Sequence, residues 1–437
     1  MFWIQLILII VLIYFGSRVG NVFMGLLGGV GVGIFVFVFG MQPASPPIDV
    51  MLIILGVVLA ASVLQSSKGL DYLVIIAEKI LRKSPSNITI IAPIVAWIFT
   101  FLSGTGHVVY SLLPVMNELS IDNRIRPERP ISNSIISSQQ AITCSPMSAA
   151  TAAMIGFMAT IDVSFSKLLM ITIPATLIGV IASSVLTIKK GKELHQDPEY
   201  IRRLEEGFIK KFERKEIKDI ANSQKWSVLI FLLAVVSVIV LGLFTGLRPS
   251  WVIEGKVTPL SMPYTIEIIM LTCAALIIIV CKPKIEEILS GSIFKAGALA
   301  IVCAFGLAWM SNTFILAHQE FVEENVAQIV NRYPWLFAVV VFAVAALITS
   351  QGATTLIMIP IAIGLNLPPA IIIGAWMAVN ANYFLPVSAQ TLAAISFDTA
   401  GTTKIGKYVL NHSFMVPGLI NTIISVIVAT ILGSIIL

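Results

Sequence analysis

The sequence predicts an all-α polytopic membrane protein made of two inverted repeats. Three observations predict it. Of the 437 residues, 57% are hydrophobic and 12% charged, about half the charged fraction of a soluble domain, and the mean hydropathy is +0.96. Apolar runs of membrane-crossing length, about 20 residues, recur from end to end. Polar interruptions recur in corresponding places of the two halves: "PMSAAT" at 146–151 is echoed by "PVSAQT" at 386–391, an offset of 240.

The N-terminal repeat, 1–188, holds apolar runs at 2–16, 21–40, 51–65, 88–116, 131–158 and 167–188. The first run has no basic leader and no small-residue cleavage site, so it reads as a retained helix. The C-terminal repeat, 227–437, holds runs at 227–245, 265–281, 296–312, 335–365, 369–396 and 413–436. Runs 88–116 and 335–365 are too long for one simple crossing and carry "LSGTGH" and "TSQGATT" at their centres. They are predicted to be re-entrant hairpins, since non-helical backbone at that depth needs burial in protein or a wet cavity. Runs 131–158 and 369–396, each with a central proline, are predicted to be broken helices. Between the repeats, 189–226 mixes charges of both signs and reads as a partly helical, solvated linker. Two amphipathic stretches, 70–83 and 315–333, read as interfacial helices in matching positions.

Basic residues orient this chain. With both termini periplasmic and the hairpins not crossing, 24 of the 28 Lys and Arg fall in cytoplasmic loops and four (Lys167, Arg248, Lys256 and Arg332) outside, as the positive-inside rule requires. That gives about ten crossings and two hairpins, with the halves inverted. Such repeats form transporter sites near the midplane, where discontinuous helices meet.

The candidate site follows from the interruptions. The first tip offers Thr105, Gly106 and His107; the second offers Ser350, Gln351, Gly352 and Thr354. The broken helices offer Ser145, Ser148 and Thr151, and Ser388, Gln390 and Thr391, shaped by Pro146, Pro386 and the amides Gln140 and Asn380, which align at the same offset. A proline fits the first position of a helix, so Pro146 and Pro386 are expected to restart the second half-helices, capped by Ser145 and Leu385. A restarting helix presents free N–H groups that bind anions without a cationic side chain. A single "SGTG" would signify helix packing alone; matched pairs at fixed offsets signify a site. His107 reads equally as a structural histidine or as a substrate or proton contact. Asp398, in "FDTAGTTKIG", is either a turn cap or part of a gate or regulatory loop.

Several classes are excluded or disfavoured. Segments 88–117, 131–161 and 333–397 contain no Asp, Glu, Lys or Arg, which argues against a buried carboxylate relay and against an arginine clamp. No H-E-x-x-H and no phosphate-binding G-x-x-x-x-G-K-[ST] occurs, so an intramembrane metalloprotease or ATP-driven pump is not supported. Scattered Cys144, Cys273, Cys281 and Cys303 suggest neither disulfide nor metal site, and no cofactor is expected beyond a coupling Na⁺ or H⁺. The net charge of +5 is a topology signal and not a nucleic-acid one. A channel would need a continuous polar lining, whereas polar residues are confined to the interruptions.

"GLDYLVIIAEKILRKSPSNITIIAPIV", "SGTGHVVYSLLPV", "RPERPIS" and "FDTAGTTKIGKYVLNHSFMVPGLI" resemble the anaerobic C4-dicarboxylate transporters (Dcu family) along essentially the whole chain. "DPEYIRRLEEG" and "ILSGSIFKAGALAIVCAFGLAWMSNTF" look closer to the A-type than the B-type. The resemblance implies a multi-pass inner-membrane carrier of fumarate, succinate, malate and aspartate, working by uptake or exchange in bacteria growing without oxygen, and not an enzyme. It also suggests a homodimeric, elevator-type, ion-transporter-like fold in contact with membrane lipid. A cation-coupled carrier of another small organic anion is the alternative.

Overall fold

In lipid the backbone has no polar partner but itself, so each apolar run closes into a helix. A computed structural model describes residues 1–437 except 20, 210–220, 254–255, 322–331, 334, 386–387 and 407–410, and describes only the backbone of 17, 18, 21, 107, 253, 256, 319 and 389. The N-terminal helices are α1 (Phe2–Val19), α2 (Asn21–Phe37), α3 (Ile48–Ser66), α4 (Gly69–Lys83), α5 (Ile88–Ser103), α6 (Val109–Asp122), α7 (Glu128–Ala141), α8 (Ala149–Ala159) and α9 (Phe165–Leu186). The linker carries α10 (Pro198–Glu205). The C-terminal half holds α11 (Asn222–Leu243), α12 (Met262–Cys281), α13 (Ile285–Ser290), α14 (Ser292–Cys303), α15 (Trp309–Ala317), α16 (Trp335–Ile348), α17 (Gln351–Gly364), α18 (Pro369–Trp376), α19 (Ala389–Phe397) and α20 (Met415–Ile436).

Among the described residues seven helices are long and apolar enough to cross a membrane: Ile48–Ser66, Pro85–Ser103, Phe165–Leu186, Asn222–Leu243, Met262–Cys281, Ser292–Ala317 and Met415–Ile436. The first arm of the predicted hairpin 88–116 is one of them. Helices α1 and α2 are apolar but shorter. Most of the expected amphipathic echo at 315–333 lies outside the described residues. Its counterpart α4 is present and buries Leu73, Ala77 and Leu81, four residues apart, on one stripe.

Two groups of helices emerge from the packing. α3 lies against α12 and α14, α12 against α11, and α2 against both α1 and the turn joining α14 to α15. That turn, Ala304–Ala308, is a π-helical bulge, and a Cβ on Gly306 would stand 1.7 Å from the Gly25 carbonyl oxygen, so only glycine permits the crossing. The second group is formed by α5–α9 with α16–α20, and α9 and α20 pack along each other. Within it each half reaches into the other: α8 packs on α17, and α19 packs on α6 and α7.

Two expectations are corrected. The fold is not purely helical. Ser250–Ile253 (β1) and Lys256–Pro259 (β2) form an antiparallel hairpin with Trp251 opposite Thr258 and Val252 opposite Val257. The β-branched and aromatic residues Trp251, Val252, Val257 and Thr258 favour this pairing, and the ten-residue stretch was too short to stand out among long helices. The linker is also not a solvated tether along its whole length. Asp197 and Leu194 are buried; Arg126 at the entrance to α7 pairs with Asp197 at 2.5 Å and Glu128 at 2.6 Å. Lys190 reaches Glu128 at 3.1 Å, Arg129 reaches Glu193 at 3.0 Å, and the Arg203 guanidinium donates to the Asp398 and Thr399 carbonyls. Lys190, Glu193, Asp197 and Arg203 are therefore tied to the start of α7 and to the 398–399 carbonyls.

Burial alone would raise the Asp197 carboxyl, but hydrogen bonds from Arg126 and from the Tyr200 and Glu199 N–H groups outweigh it and hold its pKa below the ordinary value. A depressed carboxylate contributes stability that is complete above its unfolded pKa, about 3.9, and is lost only as pH falls through the folded value. The clamp is thus indifferent to pH in the physiological range. Removing one partner of a buried pair costs about 3–5 kcal/mol. Arg126→Ala is accordingly expected to lower the thermal midpoint of the purified protein by several degrees, while Arg202→Ala, whose Glu199 and Glu206 partners lie at the surface, leaves it unchanged.

Candidate functional site

The first interruption is a turn closed by backbone. α5 ends at Gly104, whose φ of +71° is left-handed, and its N–H returns to the Thr100 carbonyl at 2.8 Å. Thr105 follows, its carbonyl accepting from the Ser103 hydroxyl at 3.3 Å, and a 3-10 turn at Gly106–Val108 leads into α6. The loop of the broken helix lies beneath this tip: the Ser145 hydroxyl donates to the Phe101 carbonyl at 2.6 Å, and a Cβ on Gly104 would meet the Met147 carbonyl oxygen at 2.1 Å.

The restart of that broken helix corrects one expectation. The cap is Ser148, not Ser145: its side chain accepts from the Thr151 N–H at 3.0 Å and α8 begins at Ala149. Pro146 lies two residues before the cap. A hydroxyl can accept the N–H of the third helical residue and a proline cannot, so the proline opens the chain and the serine starts the helix. Ser148 and Thr151 also lie 2.6 and 2.7 Å from the Ile142 carbonyl, which the opened helix leaves without its usual donor. Both hydroxyls are engaged in finishing the break.

The second half repeats the plan. Thr349 takes a left-handed φ of +55°, strained for a β-branched residue. Ser350 caps α17, accepting from the Ala353 N–H, and the Thr354 hydroxyl turns back to the Ser350 carbonyl at 2.8 Å. After α18 the chain tightens into a 3-10 segment, Met377–Tyr383, kinked at Asn380. Ser388, not Leu385, caps α19 by accepting from Thr391 at 3.3 Å. Gln390 is half-buried. Pro386 and the His107 side chain lie outside the described residues.

Between the two tips stands a cluster of buried amides. The Gln351 Nε2 donates to the Gln139 carbonyl and to Asn380 Oδ1, both at 2.9 Å. Asn380 Nδ2 donates to Gln140 Oε1 at 2.7 Å, and Asn382 Nδ2 to Gln139 Oε1 at 3.2 Å. A Cβ on Gly106 would lie 2.8 Å from Gln139 Nε2, and Ser138 donates to the Gly106 carbonyl at 3.3 Å. Gly106, Gln140, Gln351 and Asn380, all anticipated, are thereby brought together. Gln139, Ser138 and Asn382 were missed. Their signal was uncharged amides inside apolar runs, "SSQQ" and "NANY", but Gln139 meets a partner 243 residues away, so an offset of 240 does not find it.

Asp398 lies apart from this cluster. Its carboxylate accepts from the Gly401 N–H at 3.1 Å, the Thr402 hydroxyl at 2.8 Å and the Thr403 N–H at 2.5 Å. Burial pushes its pKa up against these donors. Thr402 in turn accepts from the Glu128 N–H at 3.0 Å, so the 398–403 loop covers the start of α7. This is the geometry of a turn cap.

Apolar helices of crossing length around a buried, uncharged polar cluster define a multi-pass membrane transporter, and the comparisons agree. The whole chain, residues 1–437, matches the family model described as anaerobic C4-dicarboxylate membrane transporter, and the chain belongs to that family. It is 40% identical over 449 residues to the anaerobic C4-dicarboxylate transporter DcuB of Escherichia coli O6:H1, covering 99% of both chains. It is 38% identical over 433 residues to the C4-dicarboxylate transporter DcuA of E. coli K12 and 37% over 440 residues to DcuA of Helicobacter pylori, again with 99% of both chains covered in each case. These identities set it about evenly between the two types, where its motifs had leaned to the A-type. Among solved structures it resembles the YdaH transporter of Alcanivorax borkumensis, with a TM-score of 0.55 at 16% identity over 89% of this chain and 85% of that one. It also resembles MtrF of Neisseria gonorrhoeae, with a TM-score of 0.52 at 14% identity over 92% and 84%.

Proposed function

We propose that this chain carries C4-dicarboxylates across the bacterial inner membrane as a secondary transporter, by uptake or exchange. The observation that carries this reading is the meeting of both halves in one uncharged polar cluster, Gly106–Gln139–Gln140 with Gln351–Asn380, in a member of this family. Relatives named as C4-dicarboxylate transporters support the substrate class. Fumarate, succinate, malate and aspartate are the substrates to expect. The starts of α8, α17 and α19, each capped by a serine, would hold the carboxylates, since the first N–H groups of a helix have no intrahelical acceptor.

We further read the halves as inverted repeats. Gln140 and Asn380, equivalent at an offset of 240, bond each other at 2.7 Å, as residues beside an internal two-fold do. The reciprocal packing of α8 on α17 and α19 on α6 supports the same symmetry. In an elevator movement α5–α9 and α16–α20, with both hairpins, would travel against α1–α3 and α11–α15. Termini on the periplasmic side, a homodimer in contact with lipid, and Na⁺ or H⁺ as coupling ion complete the proposal; neutral oxygens at the tips suit Na⁺.

Counterflow tests it. Purified protein in liposomes loaded with unlabelled succinate should accumulate external labelled succinate faster than empty liposomes do. A rate independent of internal dicarboxylate would point to a channel, and no succinate movement at all would sink the substrate assignment.

A further inference from the structure

We propose that the amide cluster reads the substituent on carbon 2 of the substrate, and that Gln351 with the Gln139–Asn382 pair selects a 2-amino-dicarboxylate over the unsubstituted acid. This rests on the transport reading above. All five amides (Gln139, Gln140, Gln351, Asn380 and Asn382) are at least nine-tenths buried. Yet among the described residues Gln139 Nε2, Gln351 Oε1 and Asn382 Oδ1 have no hydrogen-bond partner. A buried polar atom without a partner costs about 1–3 kcal/mol, and three in one cluster are groups that a bound ligand can satisfy.

The orientation of the amides is fixed by chemistry. Gln351 Nε2 faces a backbone carbonyl, that of Gln139, and a carbonyl can only accept. Its other nitrogen proton goes to Asn380 Oδ1, Asn380 Nδ2 goes to Gln140 Oε1, and Gln140 Nε2 faces the Met377 carbonyl. The relay runs one way and leaves Gln351 Oε1 as a bare acceptor. The Gln139–Asn382 pair can be turned end for end together, and either way it keeps one bare donor and one bare acceptor. The cluster therefore presents two acceptors and one donor.

Those are the complements of a specific ligand fragment. One donor suits a carboxylate oxygen. Two acceptors suit a group with at least two hydrogens to give, which an ammonium has; a hydroxyl has one and a methylene none. The absence of charged side chains from these segments leaves the selection to neutral dipoles. Space begins one residue along: a Cβ on Gly352 would meet nothing within 4 Å.

The experiment is competition against labelled succinate counterflow in liposomes by unlabelled L-aspartate, L-malate and succinate. Wild type should be inhibited by aspartate at concentrations at least about tenfold lower than by succinate, one hydrogen bond to a charged group at roughly 1.4 kcal/mol per tenfold. Asn382→Leu and Gln351→Met should each reduce that aspartate-to-succinate ratio several-fold, whatever they do to the rate, because misfolding changes rate without changing the ratio. An equal ratio in wild type, malate competing as well as aspartate, or an unchanged ratio in both variants would each overturn the assignment. Persistence of succinate counterflow in wild type under those outcomes leaves the transport reading intact; its absence removes that reading first.

Discussion

Gly352→Leu is expected to insert and purify like wild type and to transport nothing measurable, an uptake loss of at least ~100-fold, or about 2.7 kcal/mol. The site is the second residue of α17, half-buried, beside the buried Gln351, and an added Cβ meets no atom within 4 Å. A leucine can therefore start into open space at its Cβ without a backbone clash. Gly246, which also has open space at its Cβ but lies between α11 and the β-hairpin, supplies the control, since Gly246→Leu should transport normally. Uptake by Gly352→Leu equal to wild type at matched membrane levels would move the substrate away from the second tip.

Gly104→Val should fail differently, by losing the folded protein. The φ of +71° costs an L-residue roughly 1–2 kcal/mol. The new Cβ would stand 2.1 Å from the Met147 carbonyl oxygen, with backbone on both sides of the contact. Neither side can yield without moving α5 away from the loop that Ser145 ties to it. Overpacking typically adds about 1–3 kcal/mol. The variant should give little monodisperse protein after detergent extraction, and its residual folded fraction should melt well below wild type. A stable Gly104→Val with ordinary melting would show that the first tip does not rest on the 145–148 turn.

The helices were legible because lipid leaves the backbone few choices, so each long apolar run closes into helix, although only seven of the described helices reach crossing length. The breaks were legible too, since proline and glycine act locally on their own neighbours. What the sequence could not assign was the work of each residue at a break. Pro146 announces the interruption, but the cap is chosen by which hydroxyl reaches the N–H three residues on, and that is Ser148. The linker misled because Glu193, Asp197 and Arg203 look solvated until Arg126, Arg129 and the 398–399 carbonyls are seen opposite them. Gln139 and Asn382 were hidden because a fixed sequence offset of 240 pairs similar residues and not touching ones. Gln140 and Asn380 were visible because they both match at that offset and touch.

The exchange of α8 and α19 between halves has a consequence for how the chain is made. Ser148, Thr151 and the Ile142 carbonyl complete one another within ten residues of sequence, so that polar turn is satisfied as soon as it leaves the ribosome. Gln139 and Gln140 are not. Their partners Gln351, Asn380 and Asn382 arrive more than two hundred residues later, which at about 5–20 residues per second is a wait of roughly 10–40 s. For that time the nascent first half carries bare amides and a half-helix, α8, that has α3 to pack on but not yet α17. The decisive step of assembly therefore waits for the second half of the chain. A chain stalled or truncated between α9 and α17 should be a substrate for membrane quality control even though every helix it contains has already formed.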